Sequence, residues 1–142
     1  MKTLYLKIIE LLGTVPEIRH VDLQYGQLQE EQPPLSYPAV LVSMSQTSEN
    51  IDDLYQIHTA QITLQLVCKM AGETNSLAPA ARREQALAYL DVSEKLYKVL
   101  QGYEDETFEA FSQTAAVEQL LRKGLKTVER RFTTAWREDL AG

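Results

Sequence analysis

From His58 onward, small or apolar residues alternate with uncharged polar ones. Ala60, Ile62, Leu64, Leu66 and Cys68 fall on one parity, and Thr59, Gln61, Thr63 and Gln65 on the other. A two-residue period puts the two sets on opposite faces of a strand, one buried and one wet. The preceding run, Ala39-Val40-Leu41-Val42-Ser43-Met44-Ser45, is more continuously apolar and follows Pro38, which predicts a more central strand. Residues 46–56 between the two runs are polar and read as their connecting loop. A third alternation, Val128, Arg130, Phe132, Thr134 and Trp136 against Glu129, Arg131, Thr133, Ala135 and Arg137, predicts a final strand. In that strand Arg130 and Arg131 point to opposite faces.

Other segments carry the helical period. Leu4, Ile8 and Leu11 form a stripe widened by Tyr5, Ile9 and Leu12, with Gly13 suited to a left-handed C-terminal cap and Val15-Pro16 ending the run. A longer helix is predicted from Pro79 to Leu100, with Ala86, Leu90, Ser93, Tyr97 and Leu100 on one stripe and Gly102 just beyond. Its acid-first pairs, Asp91 with Lys95 and Glu94 with Lys98, are spaced to support the outer face. Residues 18–24 read as a first strand and 25–37 as a long polar loop. Across 103–126 the reading is a strand near 110–116 followed by a helical turn or loop, because Val117, Leu120, Leu121 and Leu125 have helical spacing. The whole predicts an α+β fold: one domain over 1–142, with a mainly antiparallel sheet of four to five strands and two helices packed on one face.

Composition removes several function classes. A formal charge of −6 disfavours a dedicated nucleic-acid binder, and Arg82-Arg83 and Arg130-Arg131 are doublets rather than a basic stripe. The lone Cys68 cannot form an intramolecular disulfide, which fits a cytoplasm. Residues 1–12 contain Lys2, Lys7 and Glu10, so they predict neither a signal-peptide core nor a membrane span. No metal or cofactor is expected. His20 and His58 fall on different strands, and ten residues separate His58 from Cys68, about 33 Å along a strand. No nucleophile elbow or phosphate loop is present, and the acidic groups around Glu49–Asp53 and Glu104–Glu106 lack the spacing of a calcium loop. The chain therefore reads as a non-enzyme. Trp136 with Phe132 reads as core packing, whereas Tyr25, Tyr37 and Tyr55 fall in or beside loops, where tyrosine also anchors interfaces.

Taken in order, several segments resemble the tail terminator, or tail completion, family of long-tailed bacteriophages and prophages, the family of the lambda-type minor tail protein U. They are the leading helix, Val21-Asp22-Leu23-Gln24-Tyr25-Gly26-Gln27-Leu28, Tyr37-Pro38-Ala39-Val40-Leu41-Val42 and the Thr/Gln strand. The helix end Leu96-Tyr97-Lys98-Val99-Leu100-Gln101-Gly102 and the closing run from Val128 to Asp139 complete the set. The Asp-Leu-Gln-Tyr-Gly-Gln and Tyr-Pro-Ala-Val elements look most like Bacteroidetes-prophage versions. Residues 113–126 depart from the pattern, since their Leu-rich composition fits the family's penultimate strand poorly.

The resemblance implies a ring, typically a hexamer, that caps the tail tube and joins it to the head. Its partners would be its own copies, the tail-tube protein and a neck or connector protein. DNA would pass through the lumen without specific binding, and the protein would work in the bacterial host cytoplasm and then in the virion tail or neck. An acidic ring would repel DNA phosphates rather than hold them. Candidate subunit or tube contacts are Thr59, Gln61, Thr63 and Gln65, with Tyr55 and Gln46 from the expected 46–56 loop; solvated decoration of the sheet is the plain alternative. Two other functions fit the same residues: a neck head-tail connector of related fold, and a small non-catalytic protein-binding module.

Overall fold

The computed structural model describes residues 1–142 apart from 71, 122, 123, 141 and 142. The element order is α1 (Lys2–Leu12), β1 (His20–Leu23), a 3-10 turn (Gln27–Gln29), β2 (Ala39–Asp52), β3 (Tyr55–Lys69), α2 (Ala80–Ala86), α3 (Ala88–Leu100), β4 (Ser112–Leu121) and β5 (Leu125–Asp139). The strands form one sheet in the order β1-β2-β3-β5-β4. β1 runs parallel to β2 and every other pairing is antiparallel. The fold is α+β, as the periodicities imply.

The helical face holds the main core. Val40 and Val42 of β2, Ala60, Ile62, Leu64, Leu66 and Cys68 of β3, and Phe132 of β5 pack against Leu4, Ile8 and Leu12 of α1 and Val92, Leu96 and Leu100 of α3. Phe108 and Phe111, in the connection from α3 to β4, meet edge to face and extend this layer. Arg130 lies in the same layer, only 8% exposed. Its Nε donates to Ser93 Oγ at 2.9 Å, Nη1 to Gln113 Oε1 at 2.8 Å and Nη2 to Glu94 Oε1 at 3.2 Å, and its guanidinium lies over the Tyr97 ring. A buried guanidinium needs such a set of acceptors.

Several expectations are corrected. The segment read as a 46–56 loop is the outer half of a β-hairpin whose turn is Asp53-Leu54. Residues 47–52 are exposed, so no apolar period marks them; the backbone ladder to β3 alone makes them strand. The helical turn placed after 116 is instead β4, which continues to Leu121 and turns back into β5. Gly124, at φ 72°, occupies that turn. The helical spacing of Val117 and Leu125 is an accident of two strands reversing there.

The second long helix is two. Leu87, at φ −94° and ψ 0°, separates α2 from α3, and Ala86 is the only buried residue of α2, so no apolar stripe holds it coaxial with α3. The expected intrahelical pairs are replaced by longer-range ones, Lys95 with Glu17 and Glu94 with Arg130. Gly13 ends α1 in right-handed geometry, at φ −62°, rather than in a left-handed cap. No helix among the described residues is long and apolar enough to cross a membrane.

Candidate functional site

Strand parity divides the sheet into two unlike faces. On β3, Thr59, Gln61, Thr63 and Gln65 point away from the helices, half-buried or exposed. Cross-strand register sets Thr47, Ser45 and Ser43 of β2 beside Thr59, Gln61 and Thr63, and Ala135, Thr133, Arg131 and Glu129 of β5 on their other side. The outer face is thus a band of hydroxyls, amides and small side chains across three strands. One charge pair lies within it, Arg131 Nη2 donating to Glu129 Oε2 at 2.8 Å, while Arg137 Nη1 donates to the neutral Tyr55 hydroxyl at 3.4 Å. Gln65 accepts from Gln24 Nε2 at 2.9 Å, which ties the segment after β1 to the band.

One end of this face is covered. Leu28, Leu35 and Tyr37, from the segment between β1 and β2, pack on Leu41, Val67 and Leu125. The buried Gln27 holds that segment in shape, donating to the Leu23 carbonyl and accepting from the Tyr25 N–H. The remainder, from Gln65 to the hairpin tip, carries no second layer among the described residues.

Five of the six residues singled out from sequence fall together here: Tyr55, Thr59, Gln61, Thr63 and Gln65. Gln46 does not. It pairs with Ala60 and so lies on the helical side, where its Nε2 is 3.0 Å from His58 Nδ1. The misplacement follows directly from the loop that is a strand, because counting parity through 46–56 requires knowing that it is extended.

Two titratable groups away from the band, His58 and Asp105, are held in structural contacts. His58 is buried between Ser48, Gln46 and Trp136, with Glu138 Oε1 at 3.4 Å from its Nε2. A cleft of about 410 Å³ is lined by Glu104, Asp105, Glu106, Glu109, Trp136 and Arg137 among others. Its Asp105 caps a turn: the Phe108 and Thr107 N–H groups and the Tyr103 hydroxyl donate to it and hold its carboxyl below the usual range. Among the described residues no three His, Cys, Asp or Glu side chains converge closely enough to hold a metal ion.

Burial raises the Cys68 thiol to about 11. Native protein at pH 8 is therefore expected to resist a thiol reagent that labels it fully once unfolded; rapid native labelling would overturn this burial. Because the folded value lies above the unfolded one, this group's stabilising contribution is present below the unfolded thiol pKa and fades as pH rises toward 11.

No protein-family model matches the chain, and no curated protein matches it. Among solved structures, the fold is similar to that of a chain in the virion of a native gene transfer agent particle. The TM-score is 0.51 at 12% identity, covering 92% of this chain and 84% of that one. At that identity the likeness is one of fold alone.

Proposed function

We propose that this protein is a non-catalytic structural component of a phage-like particle, a tail terminator that caps the tail tube as a ring and joins it to the head. The observation that carries the reading is the one-sided sheet: helices fill one face, and a band mainly of hydroxyls and amides forms the other. The virion chain of similar fold supports it, as does the order of motifs along the sequence.

Closing helix-backed sheets into a ring puts the bulkier helical layer on the longer, outer circumference. The Thr/Gln band then faces the channel. Thr59, Gln61, Thr63 and Gln65 become contacts to what passes through the ring rather than to the neighbouring subunit. A wall mainly of hydroxyls and amides, with Arg131 paired to Glu129, suits a polyanion that must slide and not stick. The ring would form in the bacterial host cytoplasm and remain at the tail or neck of the particle.

The test is electron microscopy of the cognate tail-tube protein with and without this chain. Tubes of uniform length ending in a bound ring are expected. Tubes that grow unchecked with no ring would favour a neck connector or a separate binding module. The double variant Gln61→Arg, Gln65→Arg should fold and still cap tubes, yet give particles that deliver their DNA poorly, because each copy adds two cations to the channel wall. Normal DNA delivery by that variant would move the band out of the channel.

A further inference from the structure

The sheet has two edges, and neither is closed along its whole length. β1 pairs with β2 only at Ala39–Val42, and one further bond, from the Gln24 N–H to the Val42 carbonyl, ends that contact. Beyond it, Ser43–Asp52 of β2 has no strand on its outer side among the described residues. At the opposite edge β4 pairs only with β5. Gln101 of the preceding loop accepts from the Gln113 N–H, so the open part begins after the bulge at Gln113/Ala115 and runs from Ala115 to Leu121.

Open edges invite pairing, and soluble monomers guard them with lysine, proline or a covering element. Neither Ser43–Asp52 nor Ala115–Leu121 contains a lysine, arginine or proline. Their only charges are three carboxylates, Glu49 and Asp52 near the hairpin tip and Glu118 on β4, and the rest is Ser, Thr, Asn, Gln and apolar side chains, a composition that leaves most of each ladder unblocked.

On these grounds we infer that the free edge of β2 receives β4 of a second copy of this chain, extending one sheet through successive subunits. The inference rests on the ring reading above and gives it a joint. Strand direction allows it: β4 is antiparallel to β5, β5 to β3 and β3 to β2, so β4 of a copy in the same orientation meets β2 antiparallel.

Height then fixes the shape. Through the ladder, Ser112 stands level with Ser45, by way of Thr133 and Gln61. Glu118 stands level with Val40, by way of Val128 and Leu66. Side by side at equal height, the incoming β4 would therefore collide with β1. It must rise by at least six or so residues, about 20 Å at ~3.3 Å each, to reach the vacant stretch. Each copy adds four strands across that row, about 19 Å at ~4.8 Å spacing. The two lengths give a tilt of about 45°, close to the 35–45° range that closed barrels typically show. β1 thus acts as a stop that forces stagger, and stagger turns a flat ribbon into a ring.

The matching register sets Thr47 opposite Val117, both on the outer face and both exposed. In a Cys68→Ala background, Thr47→Cys and Val117→Cys are made as separate full-length variants and oxidised at high concentration, alone and mixed. A covalent dimer is expected as the main product of the mixture and absent from either variant alone. Dimer from one variant alone would mean a two-fold contact and overturn the inference. No dimer in any sample, while the parent protein still caps tubes as a ring, would overturn the edges and leave the ring reading intact. Mixed-only dimers without any tube capping would keep the edges and remove the terminator reading.

Discussion

Ile62→Asp is expected to leave no cooperatively folded domain. Ile62 is 1% exposed at the middle of β3, with Met44 and Phe132 as its cross-strand neighbours, so no cation is opposite an introduced carboxylate. The change removes roughly 2–3 kcal/mol of apolar burial and adds a charge that must stay buried or protonate at a cost of several more. A total on the order of 5 kcal/mol or more rivals the whole stability of a small domain. Circular dichroism melting should show the two-state transition lost. Leu64→Asp, at the same depth, should be milder, because Leu64 pairs across the ladder with Arg130, whose guanidinium could meet the new carboxylate. Equal, unchanged melting of both variants would reverse the assigned parity of β3.

The second large effect concerns Arg130 itself. Arg130→Ala should cost about 2–4 kcal/mol, since Ser93, 1% exposed, and Gln113 lose their donor and the stem leaves a cavity over Tyr97. Arg130→Met fills most of that volume and should recover at least half of the loss. Glu94 has a side chain 60% exposed, so it is left solvated and contributes little to either number. Urea midpoints at unchanged slope would check both values. If alanine and methionine cost the same, the hydrogen bonds rather than the packing of the stem hold this corner together.

The legible parts of the chain are those where burial writes a period. β3 and β5 alternate because each has one face in the core, and α1 shows its stripe because Leu4, Ile8 and Leu12 meet that core. The strand expected near 110–116 is the first half of β4, whereas the outer hairpin and the second half of β4, from 117 to 121, escape the pattern for the converse reason. Residues 47–52 are exposed, and Val117 of β4 is 42% exposed, so pairing rather than hydrophobic patterning makes them strand. The Thr/Gln band was readable from parity alone, without the fold. The open edges were not, since they depend on β5 entering between β3 and β4, a choice of neighbours that no local pattern encodes. The Arg130 cluster was half legible: parity pointed Arg130 away from Arg131, but its acceptors come from α3 and β4.

The same strand order has a kinetic cost. β5 follows every other strand in sequence yet occupies an interior place, pairing Tyr55 with Asp139 and Lys69 with Leu125 across long stretches of chain. Such non-local ladders close slowly, because loop entropy is lost before the pairing compensates for it. Until β5 arrives, β3 exposes its inner edge and the row from Ala60 to Leu66 lacks Phe132, so nascent chains are at their stickiest just before completion. β4 has no sheet to join before that moment either. A newly made subunit can therefore offer a finished pair of edges only after its own sheet is complete, and folding itself times its entry into an assembly.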